Sequence, residues 1–592
     1  MKASIIRILI LGLSTLVWGQ AYNLISSQTA LSIDSTYQAR LEQKKAAALS
    51  LAIIDDGRIV YSRGYGFSDI QNAKPASDQT VYRIGSATKT FSSLATLQLV
   101  EAGKLNLETP VKDLLQGWEP ANYSALTSPP RLKHILSHTA GFPGDLYNGF
   151  FANNPPDHTW TIEALNKGLQ PLDPNDLFLY SNVAYGLLEG VIERSADLPY
   201  ETYLKQHIFE PLSMGNTWIT PPQHGPNNLA QAYLKGKLVN EPLIRDVSAG
   251  LIHSSVLDMA DFMLMLLDSG RFQDNQIISY NSLSLMQNNH LSDLRHPTDR
   301  SYGFGLQIEK YNYWEQHSGD SSVAHLYGHG GNTLAYHCDY AIVPELGVGV
   351  VLLVNSDRGR TLTKAEKLLG LYLELEKGII LDIKNPLKSN DRAPSLILSP
   401  EDLVGHYSTL LGHMHVTDPN KIRTWQGPAK IIFNRQKDGT YVPKARLLGV
   451  IPVKIHDQIF RIVNNKVGTY FEVHFPSTGR RQRIGIKLEP KIIPPIWLER
   501  TGKYQITGET FDTPEGFPFD LEETTATLKE KHGFLVFDLD SPTRDLNNSY
   551  VMSIYSDSLL INKAYARNTG ESIRLEADGT LSFSGMSFKK TN

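Results

Sequence analysis

The chain has 592 residues, 41% of them apolar and 20% charged, the composition of a globular protein long enough for roughly two to four domains. A formal net charge of −4 leaves no strongly basic surface of the kind nucleic acid requires, and no G-x-x-x-x-G-K-[ST] phosphate loop occurs. Cys338 is the only cysteine, which excludes disulfide frameworks and CxxC redox or zinc pairs.

Taken in chain order, the first element is a targeting signal. Lys2 and Arg7 precede an apolar run from Ile8 to Trp18, followed by Gly19, Gln20 and Ala21, which is the basic, apolar and small-residue order of a signal peptide over residues 1–21. The run is short of the ~20 apolar residues a spanning helix needs, and no cysteine follows it to carry a lipid. The expectation is a secreted or periplasmic protein with no stable membrane span after cleavage.

Next, Ala46 to Ile54 and Ile59 to Phe67 read as strands joined by Asp56-Gly57, a strong hairpin signal. Ser86 to Ala102 reads as a largely buried helix, with Gly103 as its C′ residue. From Leu105 to Leu267 the chain is mainly helix and loop, with helical patterns at Val183 to Ala196 and Ser255 to Ser269. Asp339 to Val343 and Gly347 to Val354 form a second hairpin through Pro344 and Glu345. The run VGVVLLVN has the unbroken apolar character of a strand covered on both faces.

Lys364 to Glu376 is a last amphipathic helix, and 381–398 is a polar, proline-containing linker. Beyond it the pattern is all-β. DLVGHYST near Leu403 and RTGKYQIT near Gly502 look alike, so the tail divides into two β-rich domains, 399–495 and 496–592, with one larger β-domain as the alternative. Residues 22–380 form the main domain.

Chemistry concentrates in three stretches of that domain. Ser86 and Lys89, in GSATKTF, stand three apart at a helix start, where residues at that spacing share a face. There the free N–H groups favour developing negative charge, and a neutral lysine can take a serine proton. A second S-x-x-K, Ser587-Lys590, lies in strand-like sequence with no helix to align it.

Tyr180-Ser181-Asn182 directly precedes a helix. A tyrosine near a lysine can act as a general base, and the Asn182 amide can orient a substrate. His329-Gly330-Gly331 lies just before the second hairpin, where two glycines permit close backbone approach and an N–H that could pair with that of Ser86 as an oxyanion hole. His317-Ser318-Gly319 is a weaker rival in a polar loop.

Together, Ser86-x-x-Lys89, Tyr180-x-Asn182 and His329-Gly330-Gly331 resemble the penicillin-recognising serine hydrolases. These are the β-lactamase-related proteins, which include class C-like β-lactamases, D-Ala-D-Ala carboxypeptidases, D-aminopeptidases and esterases. LKHILSHTAGFP around His138 and SAGLIHSSVLDMADFM around Gly250 add to the resemblance, which covers about Ala46 to Leu373. It implies an α/β (α+β) fold of the β-lactamase/transpeptidase type: an antiparallel sheet flanked by helices, plus a helical subdomain, with a lipocalin-like barrel region in the C-terminal tail.

It also implies Ser86 as the acylated nucleophile, Lys89 in its deprotonation and Tyr180 as base and proton donor. Asn182 would hold substrate, His329 would stand in place of the lysine of Lys-Thr-Gly, and the N–H groups of Ser86 and Asn332 would form the oxyanion hole. His329 is mostly neutral near pH 7, and Gly330 replaces a hydroxyl. Both changes weaken the grip on a substrate carboxylate.

The expected function is therefore an exported serine hydrolase acting on an ester or amide (peptide) bond through an acyl-serine, with a small-molecule or peptide substrate and no cofactor. A catalytically weak peptidoglycan- or ligand-binding protein is one alternative, and a β-lactamase or D-Ala-D-Ala carboxypeptidase is another. His134 and His138 have a spacing that zinc sites use but lack the HExxH acid, so no metal is expected. Cys338 reads as a buried small hydrophobe. Asn122-Tyr-Ser and Asn547-Asn-Ser are sequons.

Overall fold

Asp56 and Gly57 take φ of 48° and 72°, the two left-handed residues of a primed hairpin turn whose twist suits the flanking strands. They join β1 (Ala48–Asp55) to β2 (Arg58–Asp69) in a computed structural model of the chain. The structure describes residues 22–591 except 120–127, 169–171, 222–227, 296–297, 299, 385–386, 388–395, 400, 410–411, 427–428, 448–450, 454–457, 466–467, 476–479, 509, 515–520, 542–547 and 563–570. The signal segment and the asparagines of both sequons lie outside the described residues.

β1 and β2 belong to a nine-stranded antiparallel sheet. Its other long strands are β3 (Gln307–Glu315), β4 (Ser321–Asn332), β5 (His337–Val343) and β6 (Val348–Val354), in the spatial order β3-β4-β5-β6-β1-β2. β6 is buried throughout, as its unbroken apolar run requires. Its side chains divide by the two-residue period of a strand. Val351 and Leu353 face one core, and Val348, Val350, Leu352 and Val354 face the other.

The second core is closed by α1 (Ser27–Lys44) and α6 (Ala365–Lys377). The first is closed by α2 (Thr88–Glu101), α5 (Val256–Leu267) and the helical middle of the chain, which includes α3 (Asn182–Gly186) and α4 (Leu188–Ala196). This is the expected antiparallel sheet flanked by helices.

Two local expectations need correction. Ser86 does not open an α-helix, because Gly85–Ala87 form a tighter 3-10 turn ahead of α2, a frequent way for a helix to begin. The pattern from Val183 to Ala196 is two helices rather than one. The Ser248 hydroxyl donates to the carbonyls of Tyr185 (2.7 Å) and Gly186 (3.1 Å), and a side chain inserted into the ladder breaks a helix at that point. His329-Gly330-Gly331, expected just before the second hairpin, lies at the end of the twelve-residue strand β4.

Beyond α6 lie two further sheets. One has ten strands between Leu396 and Leu488, including β7 (Gly405–Thr409), β8 (Gly412–Val416) and β9 (Arg480–Leu488). The other is a closed eight-stranded barrel, with β10 (Gly502–Thr507), β11 (Thr525–Lys531), β12 (Phe534–Asp540) and the final strand β13 (Met586–Lys590).

The likeness between DLVGHYST and RTGKYQIT has a structural basis. Gly405 and Gly502 share an unusual φ, 142° and 145°. Tyr407 donates to the Leu403 carbonyl (2.9 Å), and Tyr504 donates to that of Arg500 (2.5 Å). Lys487 and Lys590, from the last strand of each sheet, cross over the glycine and donate to Asp402 and Glu499 carbonyls (2.9 and 2.7 Å). Each sheet thus closes its entrance with one glycine, one tyrosine and one lysine.

Leu352 is fully buried between β6 and the α1–α6 layer. Leu352→Ala is expected to destabilise this part of the chain by ~2–5 kcal/mol through lost burial and a residual cavity, read as a lowered urea midpoint.

Candidate active site

The site is built where β4 crosses the Ile84–Ala87 turn. The approach is so close that neither side tolerates a side chain. A Cβ on Gly331 would lie 1.7 Å from the Ile84 carbonyl oxygen and 3.1 Å from the Ser86 nitrogen. A Cβ on Gly85, whose φ is +53°, would lie 2.7 Å from the Asn332 nitrogen. Backbone nitrogens of Ser86 and Asn332 are therefore brought to one place by paired glycines.

The turn beyond Asn332 is fixed from below. Glu241 accepts from the Ala335 N–H (2.8 Å) and the Thr333 hydroxyl (3.0 Å). Its charge is met by buried Arg83 at 3.2 Å, so the carboxylate is paired as burial demands.

Lys89, one turn along from Ser86, is 0% exposed. Its Nζ lies 3.3 Å from Ser86 Oγ and donates to Asn182 Oδ1 (2.7 Å) and the Ala249 carbonyl (2.8 Å). It also stands 4.8 Å from the ring centre of Tyr180 and 5.6 Å from that of Tyr185, where the ring faces attract a cation.

Asn182 is the first residue of α3 and is 7% exposed. Its Nδ2 donates to Asp145 Oδ1 at 2.7 Å, which fixes the amide so that its oxygen faces Lys89. The preceding Ser181 caps α3, accepting from the Ala184 N–H (2.9 Å), as N-cap serines do.

His329 is 2% exposed. Its Nδ1 lies 2.6 Å from the Gly330 carbonyl oxygen and its Nε2 lies 3.1 Å from the Tyr302 hydroxyl. A carbonyl can only accept, so Nδ1 carries the proton and Tyr302 donates to Nε2. Burial first, and the charge of Lys89 second, push His329 down to about 3. It is a neutral residue at the place where the related motif has a cation.

The structure thus brings together Ser86, Lys89, Tyr180, Asn182, His329, Gly330, Gly331 and Asn332. It leaves the rivals apart. Ser587 and Lys590 lie on β13, and His317 is in the turn between β3 and β4. His134 accepts from the Arg131 N–H through Nδ1 (3.0 Å). Cys338 is buried, which raises its thiol well above the usual range. Among the described residues no group of three or more His, Cys, Asp or Glu is arranged to hold a metal.

The beta-lactamase family model matches residues 33–373, which include every residue of this site. The chain belongs to the beta-lactamase family. Within it, the chain is 25% identical to "Protein flp" of Staphylococcus aureus (strain MW2) over 338 residues, 56% of this chain and 64% of that protein. It is 27% identical to a beta-lactamase of Yersinia enterocolitica over 247 residues, 41% of this chain and 60% of that one. The match therefore spans less than two thirds of the length of these relatives.

Two solved structures share the fold. SurE aligns at a TM-score of 0.55 and 19% identity over 78% of this chain and 99% of its own. The octameric penicillin-binding protein homologue from Pyrococcus abyssi aligns at 0.51 and 24% over 77% and 98%.

Sequence reasoning missed four contributors to this family member's site: Asp145, the Ala249 carbonyl, Tyr302 and His138. His138 has a φ of 58°, accepts from the Ser181 N–H at 3.1 Å and packs its ring 4.2 Å from that of Tyr180. It holds the tyrosine from behind. The HTAGF and SAGLIH stretches, around His138 and Ala249, were the available signals, and they point to the family rather than to a role.

The buried imidazoles set an acid limit. His329 and His253 are held down to about 3 and His134 to about 4, chiefly by burial, against ~6.5 when unfolded. Between those values these groups bind more protons in the unfolded chain, so the stability they contribute is complete above ~6.5 and falls as pH drops toward 3. Buried Glu189, Asp261 and Asp339, pushed up to about 8, 7 and 7 chiefly by burial, act in the opposite direction over this range, so the imidazole share of the slope of unfolding free energy against pH is read by difference. His329→Asn is expected to flatten that slope by up to ~1.4 kcal/mol per pH unit.

Proposed function

We propose that the protein is an exported serine hydrolase that cleaves ester or amide bonds through an acyl-Ser86 intermediate. The observation that carries the reading is the placement of Lys89: fully buried, with Nζ 3.3 Å from Ser86 Oγ. Membership of the beta-lactamase family supports acyl-serine chemistry in general. The basic, apolar and small-residue order of residues 1–21 supports export.

In this reading the two carbonyls on Lys89, from Asn182 and Ala249, engage two N–H bonds of a neutral amine. Its lone pair then faces the Ser86 hydroxyl. As Oγ bonds to the substrate carbonyl carbon, the serine proton passes to Lys89, which becomes an ammonium and replaces the hydroxyl proton that Tyr180 later gives up. The carbonyl oxygen becomes an oxyanion facing the N–H groups of Ser86 and Asn332, where each donor is typically worth ~3 kcal/mol of barrier.

Collapse of that intermediate breaks the bond to the leaving alcohol or amine, which takes the proton from Tyr180. Water then attacks the acyl carbon, passing a proton through the Tyr180 hydroxyl to Lys89, and collapse returns that proton to Ser86 Oγ and releases the acid.

Neutral His329 sets the substrate class. It offers no cation to a substrate carboxylate, which favours uncharged esters, amides and peptides over β-lactams and C-terminal D-Ala-D-Ala. The relative named as a beta-lactamase keeps the opposite outcome worth testing.

Fluorophosphonate is expected to label wild type and not Ser86→Ala. Labelling that survives in Ser86→Ala, or is absent from wild type, overturns the assignment. Tyr180→Phe is expected to lower kcat/KM by ~10²–10⁴. In parallel assays, kcat/KM for a p-nitrophenyl ester is expected to exceed that for a chromogenic cephalosporin. A cephalosporin turned over as fast removes the argument from His329.

A further inference from the structure

The formal net charge of −4 averages over an uneven chain. Between Lys421 and Lys487 there are fourteen lysines and arginines and three acids, so the rest of the chain is acidic. The expectation of no strongly basic surface fails for the first C-terminal sheet. Glu472 is the only acid in any of its ten strands, and it lies between Arg461 and Arg483 on the neighbouring strands.

Three neighbouring strands of this sheet, Lys421–Gln426, Ala429–Arg435 and Tyr441–Leu447, carry no acid at all. They pair antiparallel in that order, and strand alternation divides their side chains between two faces. Ile422, Ile431, Phe433, Tyr441 and Ala445 belong to the core of the sheet.

The other face is set by the register. Lys421 stands opposite Asn434 and Asn434 opposite Val442; Arg423 stands opposite Ile432 and Ile432 opposite Lys444; Lys430 stands opposite Arg446. Lys421, Arg423, Lys444 and Arg446 are exposed, and Lys430 is half-buried. With about 4.8 Å between strands and ~3.4 Å per residue along them, five cations share a plane of about 10 by 14 Å.

Folding does not call for this arrangement. Like charges directly opposite each other, as Lys430 and Arg446 are, destabilise a sheet. Among the described residues, Lys421, Arg423, Lys444 and Arg446 form no ion pair. The acids nearest in sequence, Asp418 and Asp438, sit in flanking turns, where they accept from the N–H groups of Asn420 (2.9 Å) and Thr440 (3.0 Å).

We propose that this face docks on an anionic phospholipid bilayer, so that the protein rests on a membrane surface. Among the described residues no helix is long and apolar enough to cross one. Cations held in one plane meet a plane of lipid phosphates together, and the attraction of each fades within a Debye length of about 8 Å. Val442, 40% exposed, and half-buried Ile432 stand between the cations. They offer apolar surface to the headgroup layer while the long basic side chains keep their charges in water. The choice of lipid over nucleic acid rests on the export reading above; the binding itself does not depend on Ser86.

The test uses the chain without its signal segment, sedimented with vesicles of phosphatidylcholine alone or with about 30% phosphatidylglycerol. Binding to the anionic vesicles is expected at ~0.1 M salt and release at ~0.5 M, with none to phosphatidylcholine alone. Lys421→Glu/Arg423→Glu/Lys444→Glu/Arg446→Glu is expected to bind at least ~10-fold more weakly. The same four positions changed to Gln are expected to weaken binding with Tm retained, because the like-charge repulsion is relieved. A control with the same change in net charge on the main domain, Lys104→Glu/Lys235→Glu/Lys237→Glu/Arg271→Glu, is expected to bind as wild type does.

Equal binding to both vesicles, equal affinity in the folded Gln variant, or as large a loss in the control overturns the proposal. Tighter binding to duplex DNA than to anionic vesicles at the same salt overturns it too. None of these results touches the hydrolase reading, which fluorophosphonate labelling of Ser86 decides separately.

Discussion

The rest of the main domain depends on how a lysine side chain is kept out of water. Lys89 is wholly enclosed, and an amine or ammonium in that position is costly unless its N–H bonds are met. The partners come from far apart in sequence: Asn182 at the start of α3, the Ala249 carbonyl in the short helix before α5, and the ring faces of Tyr180 and Tyr185. Meeting the needs of one side chain therefore joins the sheet-bound helix α2 to the helical middle. Asp145 holds the other end of the Asn182 amide, so even the orientation of that amide follows from where Lys89 stands.

Much of this was legible in the sequence because its signals are local. The Asp56-Gly57 turn, the unbroken apolar run of β6 and the spacing of Ser86 and Lys89 each carry their structure within a few residues. The break at Leu187 was not legible, because it depends on the Ser248 hydroxyl about sixty residues away. The strand character of His329-Gly330-Gly331 was hidden for a similar reason. Glycines read as a turn, but here they serve a backbone crossing at Ile84. Asp145 and His138 look like ordinary loop residues until the fold brings them against Asn182 and Tyr180.

The tail is not detached from this arrangement. Tyr147 packs in the core of the closed barrel, and its N–H donates to Ser584 Oγ at 3.0 Å. Asn148 donates to the Gly585 carbonyl at 3.0 Å, and Arg574 donates to that of Asn166 at 3.2 Å. Tyr147 is two residues from Asp145. Glu571 is buried beside Asp145, and burial, then that neighbouring acid, raise its carboxyl well above the usual range. The barrel thus rests on the loop that holds Asn182, two contacts away from Lys89.

Cys338, the only thiol in the chain, lies on β5 with its sulfur sealed in the core. Folding therefore asks nothing of the redox state of its surroundings. The native surface of the described residues is also silent toward thiol-reactive dyes and spin labels. A pair of cysteines placed on the catalytic domain and the barrel would be the only reactive sites on that surface, so the distance between the two can be followed in solution against no background.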